Sequence, residues 1–201
     1  MSTHPSEDDE LAARARASSR PEFATVYDEH FPFVWRSARR LGVDPSAVDD
    51  VVQDVFVVVH RRLADFEGRS SLKTWLFGIL LRVVRDHRRT LRRKHPKEGG
   101  DLEAIADTTS ESPHESAEKA EGVRLLHALL DALDDDKREV FVLAELEQMT
   151  VPEIADATDS NVNTVYSRLR AARREFDAAV CRHHARRRDG AGEMGQKGSD
   201  R

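Results

Sequence analysis

A chain of 201 residues with 39% hydrophobic residues, 34% charged residues and a formal net charge of −5 has room for one medium domain or two small ones with modest cores. No stretch approaches the ~20 uninterrupted apolar residues of a membrane span, and the opening "MSTHPSEDDELAARARA" lacks the basic-then-apolar order of a secretory signal. The single cysteine, Cys181, excludes an intramolecular disulfide and any cysteine-cluster metal site. The expectation is a soluble cytoplasmic protein with no membrane contact of its own.

Residues 1–22 are polar, acidic at first and without an apolar period, which predicts a flexible N-terminal tail. From Phe23 onward apolar residues recur at helical spacing. Val48, Val51, Val52, Val55, Val59, Leu63 and Phe66 step by three and four and predict one buried helical stripe. Its start is expected at "DPSAVDD", with Asp44 as cap, Pro45 in the first turn, and Ser46 with Asp49 as a capping box. The helix should stop near "FEGRSS", where Gly68 favours chain reversal. Ser70 or Ser71 then caps "LKTWLFGILLRVVRDHRRTLRR", whose apolar first half faces inward and whose second half is almost purely basic.

Residues 96–122 hold two prolines, two adjacent glycines and many Ser, Thr and Glu, a linker composition longer than most connections inside one compact domain. Two amphipathic helices follow, "VRLLHALLDAL" and "KREVFVLAELE", separated at Asp134–Asp135–Asp136, and then "VPEIADAT" and "NVNTVYSRLRAARREFDAAV". The Gly-rich, charged residues 183–201 are expected to be a disordered C-terminal tail. The fold class is all-α, with two small helical domains joined by a flexible acidic linker.

The net charge conceals a pattern. Arg82, Arg85, Arg88, Arg89, Arg92, Arg93, Lys94 and Lys97 are interrupted by Asp86 alone, and eight arginines between Asn161 and Arg188 face only Glu175 and Asp177. Between these blocks, residues 98–121 carry eight acids and one lysine. Two basic patches flanking an acidic connector suit two contacts with a polyanion, although ordinary helix-surface charge gives the same composition.

The second block contains a two-helix pattern. Thr150 with Glu153 makes a capping box for a short helix, Asp159 sits where the turn needs a left-handed backbone, and Ser160 or Asn161 caps the next helix. There Val162, Val165, Leu169, Ala172 and Phe176 form an inward stripe, so Asn163, Thr164, Tyr166, Ser167, Arg170, Arg173 and Arg174 point elsewhere. Hydroxyl, amide and guanidinium donors at a helix start suit phosphates and base edges in a major groove. A helical hairpin with a solvated basic face remains the alternative.

In these motifs the chain resembles the sigma-70 family of bacterial RNA polymerase specificity subunits, in particular its compact extracytoplasmic-function (ECF) group. "VDDVVQDVFVVVHRRLADFEGRSSLKTWLFGILLRVVRDHRR" is similar to the sigma-2 domain, with its acidic Asp-x-x-Gln-Asp-x-Phe helix, Phe-x-Gly-x-Ser-Ser loop and Thr-Trp-Leu. "LDDDKREVFVLAELEQMTVPEIADATDSNVNTVYSRLRAARREF" is similar to sigma-4. Departures are Asp134–Asp136 where the family often has proline, Thr158–Asp159 where Leu-Gly is common, Asn163 for glycine and Tyr166 for a basic residue.

The resemblance implies a sigma-2-like domain at 23–95 that binds core polymerase and the minus-10 element. It implies a sigma-4-like helix-turn-helix domain at 123–182 that binds the minus-35 element. Asp50, Gln53 and Asp54 would dock on the β′ clamp helices, and the β flap would be a second polymerase contact. Glu67, Gly68, Arg69, Ser70 and Ser71 would hold a flipped base of the melted minus-10 element, while Lys73, Arg82, Arg85, Arg88 and Arg89 hold phosphates. Asn163, Thr164, Tyr166, Ser167 and Arg170 would read the minus-35 element, and Arg168 and Arg173 would combine phosphate contact with packing salt bridges. Trp75 is expected to be mainly core. The linker would thread toward the RNA exit path, and an anti-sigma factor is an implied partner.

An enzyme is the first rival, but no His-x-x-x-His, Gly-rich phosphate loop or nucleophile elbow is present, so no catalytic residue, cofactor or metal is expected. Cys181, His183 and His184 are read as unliganded. The second rival is a free-standing helix-turn-helix transcription regulator, which would bind specific DNA tightly without polymerase.

Overall fold

A computed structural model describes residues 21–94 and 113–196. Nearly all of the expected N-terminal tail, residues 96–112 of the linker and the last five residues lie outside them. The described chain forms α1 (Phe23–Arg40), α2 (Val48–Arg62), a 3-10 turn (Leu63–Asp65) and α3 (Leu72–Lys94) in a first unit. A second unit comprises α4 (Pro113–Asp131), α5 (Asp135–Phe141), a π-helical turn (Val142–Leu146), α6 (Val151–Thr158) and α7 (Val162–Gln196). No strand occurs among the described residues.

In the first unit the valine stripe of α2 is buried from Val48 to Val59 and packs between Val34 and Ala38 of α1 and Leu76, Phe77, Leu80 and Val84 of α3. Complete burial of one such side chain is worth roughly 1.5–3 kcal/mol, so the stripe, more than valine's modest helix propensity, holds α2 in place. Phe33 meets Phe77 edge-on at 5.3 Å. The expected capping box at the start of α2 does not form. Asp44 Oδ1 instead accepts from the backbone N and hydroxyl of Ser46, making a local turn, and α2 begins later, after Ala47. Asp49 is thereby freed to accept from Trp35 Nε1 at 3.0 Å, tying α1 to α2. Ser71, not Ser70, caps α3, its Oγ accepting from Thr74 N at 3.0 Å.

In the second unit Asp134 caps α5 by accepting from Lys137 N at 2.9 Å, and Phe141 stacks on Phe176 at 4.5 Å. Two expected boundaries shift. Helix α4 takes in the linker's last ten residues, because Pro113 suits a first turn and the Ala, Glu and Lys that follow are good helix formers. Helix α7 runs past the expected end at 182 to Gln196, since "ARRR" continues the helical pattern and the first glycine comes at Gly190. Val162, expected in the inward stripe, is 40% exposed; it opens the helix, before the face turns toward the core at Val165.

The two units share one continuous core. Helix α3 lies against α6, with Gly78 facing the Ala157 carbonyl oxygen across the contact.

Candidate DNA and polymerase interfaces

Asp50, Gln53 and Asp54 are all exposed on the outer face of α2, where steps of three and four align them. Beside them a groove of about 650 Å³ opens between α1 and α2, walled by Phe23, Tyr27, Phe31 and Phe56 and bordered by Gln53. Tyr27 and Phe56 lie 4.7 Å apart. The sequence reading missed this groove, although the four-residue spacing of Phe23, Tyr27 and Phe31 carried the signal.

The loop after α2 is an exposed arch. Gly68 adopts φ +70°, the left-handed region open to glycine at no steric cost. Glu67 and Arg69 pair at 2.5 Å while 62% and 86% exposed, an arrangement worth little to stability and easily opened. Phe66 packs on Trp75 at 5.3 Å, and Trp75 is half-buried against the core, so the arch stands on an aromatic foot.

Along α3 the candidate phosphate ligands divide into two sets. Arg82 is exposed, and Arg89 is exposed and pairs with Asp86 at 2.8 Å. Lys73, Arg85 and Arg88 instead meet acids of the second unit. Lys73 Nζ lies 3.1 Å from Glu147 and 5.0 Å from the centre of the Phe33 ring. Arg85 donates through Nε at 3.1 Å and through Nη2 to the carboxylate of Glu139, and through Nη1 at 3.4 Å to the Thr158 carbonyl. Arg88 reaches Glu139 at 3.3 Å, Asp135 at 3.4 Å and the Leu41 carbonyl. The hydrogen bonds to Glu139 hold the Arg85 guanidinium above its ordinary pKa. Arg88 shares the same acid but is buried more deeply, and desolvation lowers its pKa.

The helix-turn-helix forms as a unit. Thr150 and Glu153 close the capping box, with Thr150 N donating to Glu153 Oε2 at 2.8 Å. Asp159 takes φ 53°, ψ 46° at the turn. Asn161 Oδ1 accepts from Asn163 N at 2.8 Å and caps α7. Asn163, Tyr166, Ser167 and Arg170 are exposed and Thr164 half-buried; Tyr166 reaches 59% exposure. Arg168 pairs with Asp136 and Arg173 with Glu145 at 2.7 Å. Arg170 has no ion pair among the described residues. Among those residues, too, no group of three His, Cys, Asp or Glu side chains is placed to hold a metal, and no helix is long and apolar enough to cross a membrane.

Residues 26–94 match the family Sigma-70 region 2 and residues 124–176 match Sigma-70, region 4. The chain belongs to the sigma-70 family. It is 33% identical over 180 residues to the RNA polymerase sigma factor NccH of Alcaligenes xylosoxydans xylosoxydans, spanning 89% of this chain and 97% of that relative. It is 30% identical over 147 residues to the ECF RNA polymerase sigma-E factor of Escherichia coli, spanning 69% and 76%, which sets this sigma factor in the ECF group. Its fold is similar to CnrH solved in complex with the cytosolic domain of CnrY, with 29% identity, TM-score 0.60 and coverage of 85% of this chain and 95% of that one. A likeness of fold extends to the sigma factor RpoE of Bartonella quintana, solved with the anti-sigma factor NepR (21% identity, TM-score 0.58, coverage 77% and 96%). This sigma factor is thus a promoter-specificity subunit of RNA polymerase, with two helical domains that serve transcription initiation.

Proposed function

We propose that this ECF sigma factor distributes promoter recognition over three surfaces and performs no chemistry of its own, acting in the cytoplasm as a subunit of polymerase. Asp50, Gln53 and Asp54 dock on the β′ clamp helices, where carboxylates and an amide complement a basic partner; the second unit contacts the β flap. The arch Glu67–Ser71 receives a base extruded from the minus-10 element, and Arg82, Arg89, Lys73, Arg85 and Arg88 hold the phosphates that flank it. Trapping a base outside the stack favours strand separation without nucleotide hydrolysis.

On α7, Asn163, Thr164, Tyr166, Ser167 and Arg170 read minus-35 base edges, while Arg168 and Arg173 hold phosphates next to their acidic neighbours. The working units are residues 23–95 and 123–182, and the acidic stretch between them joins the two. An anti-sigma factor that covers the same faces belongs to this reading: the similar CnrH was solved with the cytosolic domain of CnrY.

The observation that carries the reading is Arg170, exposed and free of any ion pair among the described residues, beside Asn163 and Tyr166 on the helix that follows the Asp159 turn. Selection of promoters from a pool randomised at minus-35 tests it. Wild-type holoenzyme should recover a defined consensus, and Arg170→Ala should relax it at one or two positions, each worth about 1–3 kcal/mol. An unchanged consensus with Arg170→Ala and Asn163→Ala would contradict the assignment of α7.

A further inference from the structure

Two apolar side chains interrupt the polar outer face of α7 in its first two turns. Val162 is 40% exposed and Tyr166 59% exposed, and neither packs against the core. Tyr166 makes no hydrogen bond or ring contact among the described residues. Single exposed apolar side chains are ordinary, but these two lie four residues apart and adjoin on one ridge of the helix, which continues to Arg170. The polar groups around them are partly engaged. Ser167 donates its hydroxyl to the Thr164 carbonyl at 2.9 Å, and Asn161 Oδ1 holds the first turn by accepting from Asn163 N at 2.8 Å. The ridge therefore presents, in order, an aliphatic side chain, an aromatic ring and a guanidinium without an ion pair among the described residues.

The geometry points to Val162 and Tyr166 as an apolar reader of thymine: the pair packs against the C5-methyl group of a minus-35 thymine in the major groove. That methyl is the one apolar feature that unmodified base pairs present there; guanine, adenine and cytosine offer only acceptors and donors. An isopropyl group cannot bond a guanine edge or a phosphate, and the ring beside it enlarges the same apolar surface. Labour divides along the ridge, because Arg170 suits guanine O6 and N7. Four residues of helix advance ~6 Å and base pairs follow one another every ~3.4 Å, so the thymine under Tyr166 lies about two base pairs from the base under Arg170. An uncharged contact releases no counterions, so its contribution does not weaken with salt as phosphate contacts do. The inference rests on the assignment of α7 to the minus-35 element.

The test uses the full chain with core polymerase on a promoter recovered from the minus-35 selection. Each minus-35 thymine, on either strand, is replaced in turn by deoxyuridine, which removes the methyl group and keeps the pairing edge. Wild-type holoenzyme should lose about fourfold in binding at one or two positions, the effect of one buried methyl group. That factor should be the same at low and high salt. In Tyr166→Ala holoenzyme it should fall below about twofold, and adding Val162→Ala should abolish it, because the methyl has then lost its partners. Tyr166→Phe should retain it. Cytosine and 5-methylcytosine at the same position should differ by a similar factor in favour of the methylated base. Both side chains are exposed, so the variants should keep the wild-type unfolding temperature. A deoxyuridine effect of equal size in wild type and the double variant overturns the inference, as does no effect at any minus-35 thymine or a consensus without an A·T pair. A selection that returns no minus-35 consensus at all would instead overturn the promoter-recognition reading of α7, so the two failures are distinguishable.

Discussion

Gly42 lies so close to Arg138 that a methyl group on its α-carbon would stand 1.8 Å from the guanidinium Nη1. Gly42 ends α1 with φ +88°, and the guanidinium is pinned by the Leu130 carbonyl at 2.9 Å, the Leu133 carbonyl at 3.3 Å and Asp131 at 3.1 Å. A side chain at 42 therefore meets an unfavourable backbone conformation and a neighbour that cannot retreat. Gly42→Ala should destabilise the protein by about 2–3 kcal/mol in urea unfolding. A loss below about 0.5 kcal/mol would show that the two units are not held together at this point.

The capping box of α6 should be visible in acid. Hydrogen bonds from the Thr150 backbone and then its hydroxyl hold the Glu153 carboxyl below its ordinary pKa of 4.5. A depressed carboxylate contributes stability that is present above that value and is lost as pH falls through the lower, folded-state pKa. Thr150→Ala should cost about 1 kcal/mol at neutral pH. Its stability should also decline less than that of wild type below about pH 4.5, as followed by thermal unfolding across an acid series. Parallel acid limbs for the two proteins would contradict this.

His127 of α4 should give a second, separate pH dependence. Burial, then the charge of Arg39, lowers its pKa from 6.5, with Arg40 and Arg138 adding to the effect and Asp131 opposing it. The folded state keeps the imidazole neutral while the unfolded chain takes up a proton, so stability falls as pH drops below about 6.5. His127→Gln should flatten the stability profile between pH 6.5 and 5, and a profile identical to that of wild type would remove His127 as its source.

Arg168 and Arg170 should separate structure from recognition. Arg168 pairs with Asp136 at partial exposure, a contact worth at most about 1 kcal/mol. Arg168→Ala should lower thermal stability slightly and weaken promoter binding uniformly, with a shallower salt dependence. Arg170→Ala should leave the unfolding temperature unchanged and lose minus-35-dependent promoters selectively. Calorimetry together with transcription on paired templates measures both.

What could be read from the sequence was local. Thr150–Glu153 and the Asp159 turn were legible because a cap and a left-handed residue are satisfied by neighbours within a few positions. The stripe Val165, Leu169, Ala172 was legible from helical period. Asp44 and Ser46 misled because Asp and Ser serve a local turn as readily as a helix cap. The start of α4 was hidden by Pro, Ser and Glu that also make linkers. The π-helical turn at Val142–Leu146 and Gln148 at φ 56° carried no sequence signal. The partners of Lys73, Arg85 and Arg88 were not legible at all. A basic residue is visible in a sequence, but which acid faces it is decided by how α3 meets α5 and α6, and Glu139 lies 54 residues away from Arg85.

A chain that confers promoter choice and strand opening on core RNA polymerase must leave a melted minus-10 element behind it. Permanganate reactivity of thymines on a promoter fragment, with core polymerase present and absent, tests it most directly. The expected result is reactivity at the minus-10 element only when chain and core are combined, lost with substitutions at Asp50, Gln53 and Asp54. No reactive thymines with both components, and no co-purification of the chain with core at low salt, would contradict it.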